Sequence, residues 1–179
     1  MTQLLCVDSP DLARRRAWLA LLAMPAIPAL GSGLAACDTQ ALAPDVNYTL
    51  LDGTPGRTAA LRGQVWLVNF WATSCGPCVR DMPALAALHR QFAPRGLQTL
   101  AVAMQYDPPA AVSHFAQSRQ LPFGVVIDNT GAMARAFGDV RVTPTTIVVD
   151  RQGRVALRSV GAGHGSRVQA LLSRLLDPA

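Results

Sequence analysis

Between residues 65 and 71 every position except Asn69 is apolar, reading Val-Trp-Leu-Val-Asn-Phe-Trp, and turn formers follow at Ser74, Gly76 and Pro77. A near-continuous apolar run of this length predicts a strand buried on both faces. The period then changes. Met82, Leu85, Leu88 and Phe92 recur at three- and four-residue intervals, so Val79 to Phe92 predicts an amphipathic helix. Leu97 to Met104 is again a buried-strand pattern, Pro108 to Gln120 a helix opened by its prolines, Phe123 to Ile127 a strand and Thr130 to Phe137 a short helix. Thr145 to Asp150 and Arg154 to Val160 read as strands joined by the turn Asp150-Arg151-Gln152-Gly153, and Ser166 to Leu176 as a last helix. Alternating strands and helices that end in a hairpin predict an α/β fold with a mixed central β-sheet flanked by helices.

The first 36 residues follow another pattern. Arg14-Arg15-Arg16 precedes an apolar stretch from Ala17 to Ala36 that ends in small residues, the form of an export signal, so residues 1–36 are excluded from the fold. Leu34-Ala35-Ala36-Cys37 resembles a bacterial lipobox, in which the cysteine is lipidated and becomes the mature N-terminus. Asp38 resembles the signal that keeps such lipoproteins in the inner membrane. At about 20 residues the stretch is also long enough to span a bilayer. An uncleaved signal anchor is therefore the alternative, although Pro25, Pro28, Gly31 and Gly33 argue against a durable spanning helix. Both readings export the remainder of the chain. Residues 37–45 are expected to be a membrane-proximal tether and residues 46–177 the folded domain, one domain of ordinary size.

Composition narrows the chemistry. Arginine and aspartate supply every one of the 16 basic and 11 acidic residues, so any carboxylate chemistry must use Asp. Losing three arginines and two aspartates with the signal lowers the net charge only from +5 to about +4. The arginines are scattered, without an aromatic-interleaved basic run, which gives no support to nucleic acid as a partner.

Two cysteines, Cys75 and Cys78, stand where the predicted strand gives way to the predicted helix. At a helix start, unsatisfied N–H groups and the positive end of the dipole favour a thiolate, and a thiol pKa near about 8.5 can fall to roughly 3.5–7.5. Pro77 suits the first turn. A structural zinc site commonly takes four ligands, such as a second C-x-x-C. Here Cys6 and Cys37 belong to the N-terminal segment and His89, His114 and His164 are far apart, so redox chemistry is expected and neither a metal nor a cofactor is.

With Phe70-Trp71-Ala72-Thr73-Ser74-Cys75-Gly76-Pro77-Cys78, then Arg80-Asp81-Met82-Pro83, and Val142-Thr143-Pro144-Thr145-Thr146 before an apolar strand, residues 46–176 resemble the thioredoxin superfamily. Within it they are most similar to the TlpA/ResA-like branch of thiol-disulfide oxidoreductases. That branch carries an extra helix-strand unit before the cis-proline strand, which Pro108 to Ile127 matches, and an N-terminal hairpin, which Val46 to Thr54 matches. The resemblance implies a thioredoxin-like fold in which Cys75 and Cys78 form a redox-active disulfide. At the outer edge of the helix start, Cys75 is the expected nucleophile, and Cys78 the thiol that resolves the mixed disulfide. Pro144 is the implied cis-proline facing the cysteines, and Thr143 beside it the residue whose backbone pairs with an extended substrate. Asp81 stands where the family has a glutamate that assists proton movement, its shorter reach being this chain's departure. Asn69 replaces the buried acid of cytosolic thioredoxins, and Ser74 the usual tryptophan before the first cysteine. Trp71 is expected either to pack in the core or to touch substrate.

The function these features imply is an exported, lipid-anchored reductase of protein disulfides on the periplasmic side of the bacterial inner membrane. The family's substrates include the haem-binding cysteines of apocytochrome c, and its electrons commonly come from a membrane thiol transporter. An exported disulfide oxidase or isomerase is the alternative, and a copper-binding assembly chaperone a more distant one.

Overall fold

In the computed structural model, which describes residues 41–163 and 165–177, the apolar run at residues 65–71 is the middle strand of a five-stranded sheet. The first strands among the described residues form a small antiparallel pair, β1 (Asn47–Thr49) and β2 (Pro55–Arg57). The main sheet consists of β3 (Val65–Trp71), β4 (Leu97–Ala103), β5 (Gly124–Ile127), β6 (Thr145–Val149) and β7 (Val155–Val160), in spatial order β5-β4-β3-β6-β7. The first three strands run parallel, and β6 and β7 are antiparallel to their neighbours. The described residues form four α-helices: α1 (Gly76–Phe92), α2 (Pro109–Ser118) and α3 (Ala132–Ala136) between strands, and α4 (Gly165–Leu176) after the last of them. The mixed sheet flanked by helices is the α/β architecture expected, and α2 with β5 is the extra helix-strand unit.

Alternation along β3 explains the two-faced core. Trp66, Val68 and Phe70 point to one face and pack with Val102, Val126 and Ile147 under Met133 and Phe137 of the α3 region. Val65 and Leu67 point to the other and pack with Phe92 of α1 and Val168, Leu172 and Leu176 of α4. Trp71 continues that second face into a cluster with Cys78, Met82, Val112 and Ala116, which joins α1 to α2. Each such side chain, fully buried, contributes about 1.5–3 kcal/mol.

Register places the loops that matter. Trp71 pairs with Ala103 and Phe70 with Thr145, so the outgoing ends of β3 and β4 and the incoming end of β6 share one end of the sheet. Among the loops at that end are residues 72–75, 104–108 and 140–144.

Several boundaries differ from the sequence reading, and two of the differences have a clear physical reason. Val155 N–H donates to the Ala41 carbonyl and Ala43 N–H to the Gly153 carbonyl, both at 2.8 Å, and Arg57 Nε donates to Asp45 Oδ1 at 2.8 Å. Residues 41–45, expected in the tether, thus belong to the folded body. The helix expected to reach Gln120 ends at Ser118, since Gln120 takes a left-handed φ of 47°. No helix among the described residues is long and apolar enough to cross a membrane. The export signal and Cys37 lie outside the described residues.

Candidate active site

Cys75 is the N-cap of α1. Its backbone is extended, its carbonyl accepts from Val79 N–H at 3.1 Å, and its Sγ accepts from Cys78 N–H at 3.2 Å. The sulfur thus occupies the place that a serine or aspartate oxygen takes in an ordinary N-cap, satisfying a first-turn donor. Charge on that sulfur would be stabilised by the same N–H and by the helix dipole. Cys75 and Cys78 form a disulfide in this structure. Cys75 is half-buried, whereas Cys78 is 2 % exposed and sits in the apolar cluster of Trp71 and Met82. Only the first sulfur offers an approach to a partner.

The loop that leads into Cys75 is held from beneath by a residue the sequence reading did not single out. Asp107, 2 % exposed, accepts from Thr73 N–H at 2.7 Å (Oδ2) and from the Thr73 hydroxyl at 2.5 Å (Oδ1). An aspartate before two prolines reads in sequence as an ordinary turn residue. Its contact lies 34 residues away, beyond any local signal.

Across the sheet end, the Thr143–Pro144 peptide bond is cis, as the resemblance implies. The Pro144 carbonyl accepts from Gly161 N–H at 2.8 Å and the Val142 carbonyl from the Thr145 hydroxyl at 2.6 Å, which fixes the loop on either side of Thr143. Among the described residues the backbone N–H and carbonyl of half-buried Thr143 take no partner. They are free to pair with an extended chain, in the manner of strand addition. Tyr106 and Val142, 58 % and 55 % exposed, are unusually bare apolar side chains in the two loops at this same end of the sheet.

Behind the cysteines, Asp81, Asn69, Pro144 and Thr146 line a cavity of about 220 Å³ between α1, the sheet and the loop that precedes α4. Asn69, 8 % exposed, donates from Nδ2 to Thr146 Oγ1 at 2.9 Å. Half-buried Asp81 accepts from Gly163 N–H at 3.3 Å. Gly163 has a φ of 85°, which suits glycine and turns its N–H toward the carboxylate. The structure therefore brings Asp81, Asn69 and Pro144 into one cavity, with Cys78 one helical turn before Asp81.

Of the two roles expected for Trp71, its burial favours packing in the core. It is 0 % exposed, packs against Phe115 with ring centroids 5.1 Å apart, and its buried Nε1 has no partner. A ring without accessible surface cannot present a face to a docking chain, so Trp71 is core. Arg80, by contrast, swings back over the active-site turn, its Nη1 lying 3.4 Å from the position a Gly76 Cβ would take. On the far part of α1, burial lowers the His89 imidazole pKa from its usual 6.5, with Arg90 adding to the effect and a hydrogen bond to Pro122 opposing it.

This arrangement supports two-step exchange. A Cys75 thiolate attacks one sulfur of a partner disulfide, the S–S bond breaks, and one partner thiolate leaves as the mixed disulfide forms. The Cys78 thiolate then attacks Cys75 Sγ, releases the second partner thiolate and closes Cys75–Cys78. The partner gains two electrons and the dithiol loses them.

Comparison with known proteins agrees with this chemistry. The redoxin family model matches residues 38–172. The thiol-disulfide oxidoreductase ResA of Geobacillus thermodenitrificans is 36 % identical over 113 residues, covering 63 % of this chain and 64 % of that one. ResA of Halalkalibacterium halodurans is 32 % identical over 135 residues, 74 % of this chain and 75 % of the relative. Among solved structures, a thioredoxin-family thiol:disulfide interchange protein from Chlorobium tepidum superposes with a TM-score of 0.70 at 26 % identity, over 77 % of this chain and 97 % of that one.

Proposed function

The chain belongs to the redoxin family, and on that premise we propose that it is an exported, membrane-anchored thiol-disulfide oxidoreductase that reduces protein disulfides through Cys75 and Cys78. The observation that carries this reading is the half-buried Cys75 sulfur at the helix N-cap, across from the unpartnered backbone of Thr143. The first supplies a nucleophile, the second a docking edge for an extended chain.

Reduction is favoured over oxidation on two grounds. The Gly76-Pro77 dipeptide resembles that of reducing thioredoxins. Asp81, one turn after Cys78, places a carboxylate where it opposes thiolate build-up, and destabilising the thiolate favours the disulfide product of reduction. The proposed substrates are cysteine pairs that must stay reduced in an oxidising compartment, the haem-binding pairs of apocytochrome c among them. The electron source is a membrane thiol transporter.

Anchoring rests on the lipobox-like residues 34–37. With residues 41–45 docked on the domain, the chain from Cys37 to Ala41 reaches at most about 14 Å. A lipid on Cys37 would hold the domain close to the membrane surface, on its periplasmic side.

A Cys78→Ala variant of the full chain, which cannot resolve its mixed disulfides, tests the reading in cells. It is expected in the membrane fraction, bound covalently through Cys75 to exported proteins bearing vicinal cysteines. Capture instead of a disulfide-forming oxidase, with the wild-type pair oxidised at steady state, would favour the oxidant alternative.

A further inference from the structure

We infer that Asp107 is a positioning residue for Cys75, a clamp that keeps the nucleophile at the start of α1 once its disulfide has opened. While the Cys75–Cys78 bond is closed, a covalent link holds Cys75 to the helix. Reduction removes it. What then keeps the turn in place is Cys75 N–H on the Ala72 carbonyl and Val79 N–H on the Cys75 carbonyl, both at 3.1 Å, Cys78 N–H on Cys75 Sγ at 3.2 Å, and the paired bonds from Thr73 to Asp107 at 2.7 and 2.5 Å. The first three are local to the turn and the first turn of α1. Among these bonds only the Thr73–Asp107 pair reaches a distant part of the chain.

Asp107 is suited to hold. It is 2 % exposed, its own N–H donates to the Met104 carbonyl at 2.9 Å just beyond β4, and Pro108 after it opens α2, the Pro108 carbonyl accepting from Val112 N–H at 3.1 Å. Both carboxylate oxygens are used, one on a backbone donor and one on a hydroxyl, so the Thr73 backbone and side chain are fixed together. The loop between β4 and α2 thereby reaches the active-site turn through the Asp107 side chain.

A tether that matters more in the dithiol than in the disulfide stabilises the reduced form, by the same linkage that makes a ligand favour the state it binds. The inference rests on the dithiol chemistry and is independent of the direction and anchor proposed above. Its test is the redox equilibrium of the purified protein with reduced and oxidised glutathione at pH 7, read by thiol labelling of Cys75 and Cys78. Thr73→Val keeps the carboxylate and removes the hydroxyl bond; it is expected to shift the equilibrium toward the disulfide by up to about fivefold, the full worth of one net hydrogen bond being the ceiling because the same bond is made in the disulfide form. Asp107→Ala is expected to shift it further the same way, and Thr73→Ser, which retains both donors, to restore the wild-type value. An equilibrium unmoved in Thr73→Val and Asp107→Ala, with only thermal stability lowered, would reduce Asp107 to a structural acid. A shift toward the dithiol in Asp107→Ala would also overturn the clamp, since loss of negative charge alone acts in that direction. A wild-type pair that does not equilibrate with glutathione would instead count against the dithiol chemistry itself.

Discussion

Replacing Asp81 by asparagine isolates the charge of one carboxylate. The amide oxygen of the new side chain can still accept from Gly163 N–H, which lies 3.3 Å from the present carboxylate oxygen, so the loop before α4 and the cavity keep their shape. What changes is the field at the cysteines. Residues 78 and 81 are three apart on α1, which sets their side chains about 5–6 Å from one another. At about 6 Å two unit charges interact by roughly 3 kcal/mol at an effective dielectric of 20 and by under about 1 kcal/mol in bulk water. Asp81 is half-buried, between these limits, so removal of its charge is worth about 1–1.5 kcal/mol. That equals roughly one pKa unit. Asp81→Asn should therefore lower the thiol titration of the reduced pair by about one unit and make it a weaker reductant by up to about 30 mV. If Asp81 also passes a proton, disulfide reduction should slow as well, most visibly in its pH profile. The two thiols titrate as a coupled pair, so the comparison is between whole curves. Thiolate absorbance and the rate of reduction of a model disulfide, each followed from about pH 6 to 9, supply the assay. Curves that superpose on the wild type in both would refute the argument and leave Asp81 as a solvated acid that merely holds a loop.

Further outcomes follow from the same geometry. Because burial lowers the His89 pKa in the folded state, the unfolded chain binds that proton more readily, so stability is complete above about pH 6.5 and falls as pH drops below it toward the folded value. Denaturant midpoints should show this loss in the wild type and a smaller one in His89→Gln; equal slopes would contradict it. Cys37→Ser is expected to release the exported protein from the membrane fraction, and a mature N-terminus elsewhere than Cys37 would refute the lipobox reading. Tyr106→Ser and Val142→Ser should raise KM for protein disulfides severalfold while leaving the reaction with small disulfides unchanged, since only a chain-length partner reaches both loops; parallel losses with both substrates would argue against a docking rim.

The parts of the fold that were legible are those in which one residue pattern carries the whole signal. The run at 65–71 had to be a buried strand, and the helical spacing of Met82, Leu85, Leu88 and Phe92 placed the cysteines at a helix start. β2 was hidden because Pro55-Gly56-Arg57 contains no strand former. Gly56 is there for a steric reason, as a Cβ would lie 2.3 Å from the Tyr48 ring. The docking of residues 41–43 was also hidden, since it consists of backbone hydrogen bonds that any sequence could make. At the site, the cysteines and the cis-proline were readable from motifs, but Trp71 lay between two roles until its burial was known. Asp107 was out of reach altogether, because nothing in Asp-Pro-Pro tells that the acid turns inward to meet Thr73.

The central claim, that Cys75 and Cys78 form a reducing dithiol, is tested most directly by the reduction potential of the pair in the purified domain. The account predicts a value nearer the about −270 mV of thioredoxin than the about −120 mV of a strong oxidant, and loss of the two-electron couple in Cys75→Ser. A potential close to about −120 mV would contradict it and turn the same geometry into that of an oxidase.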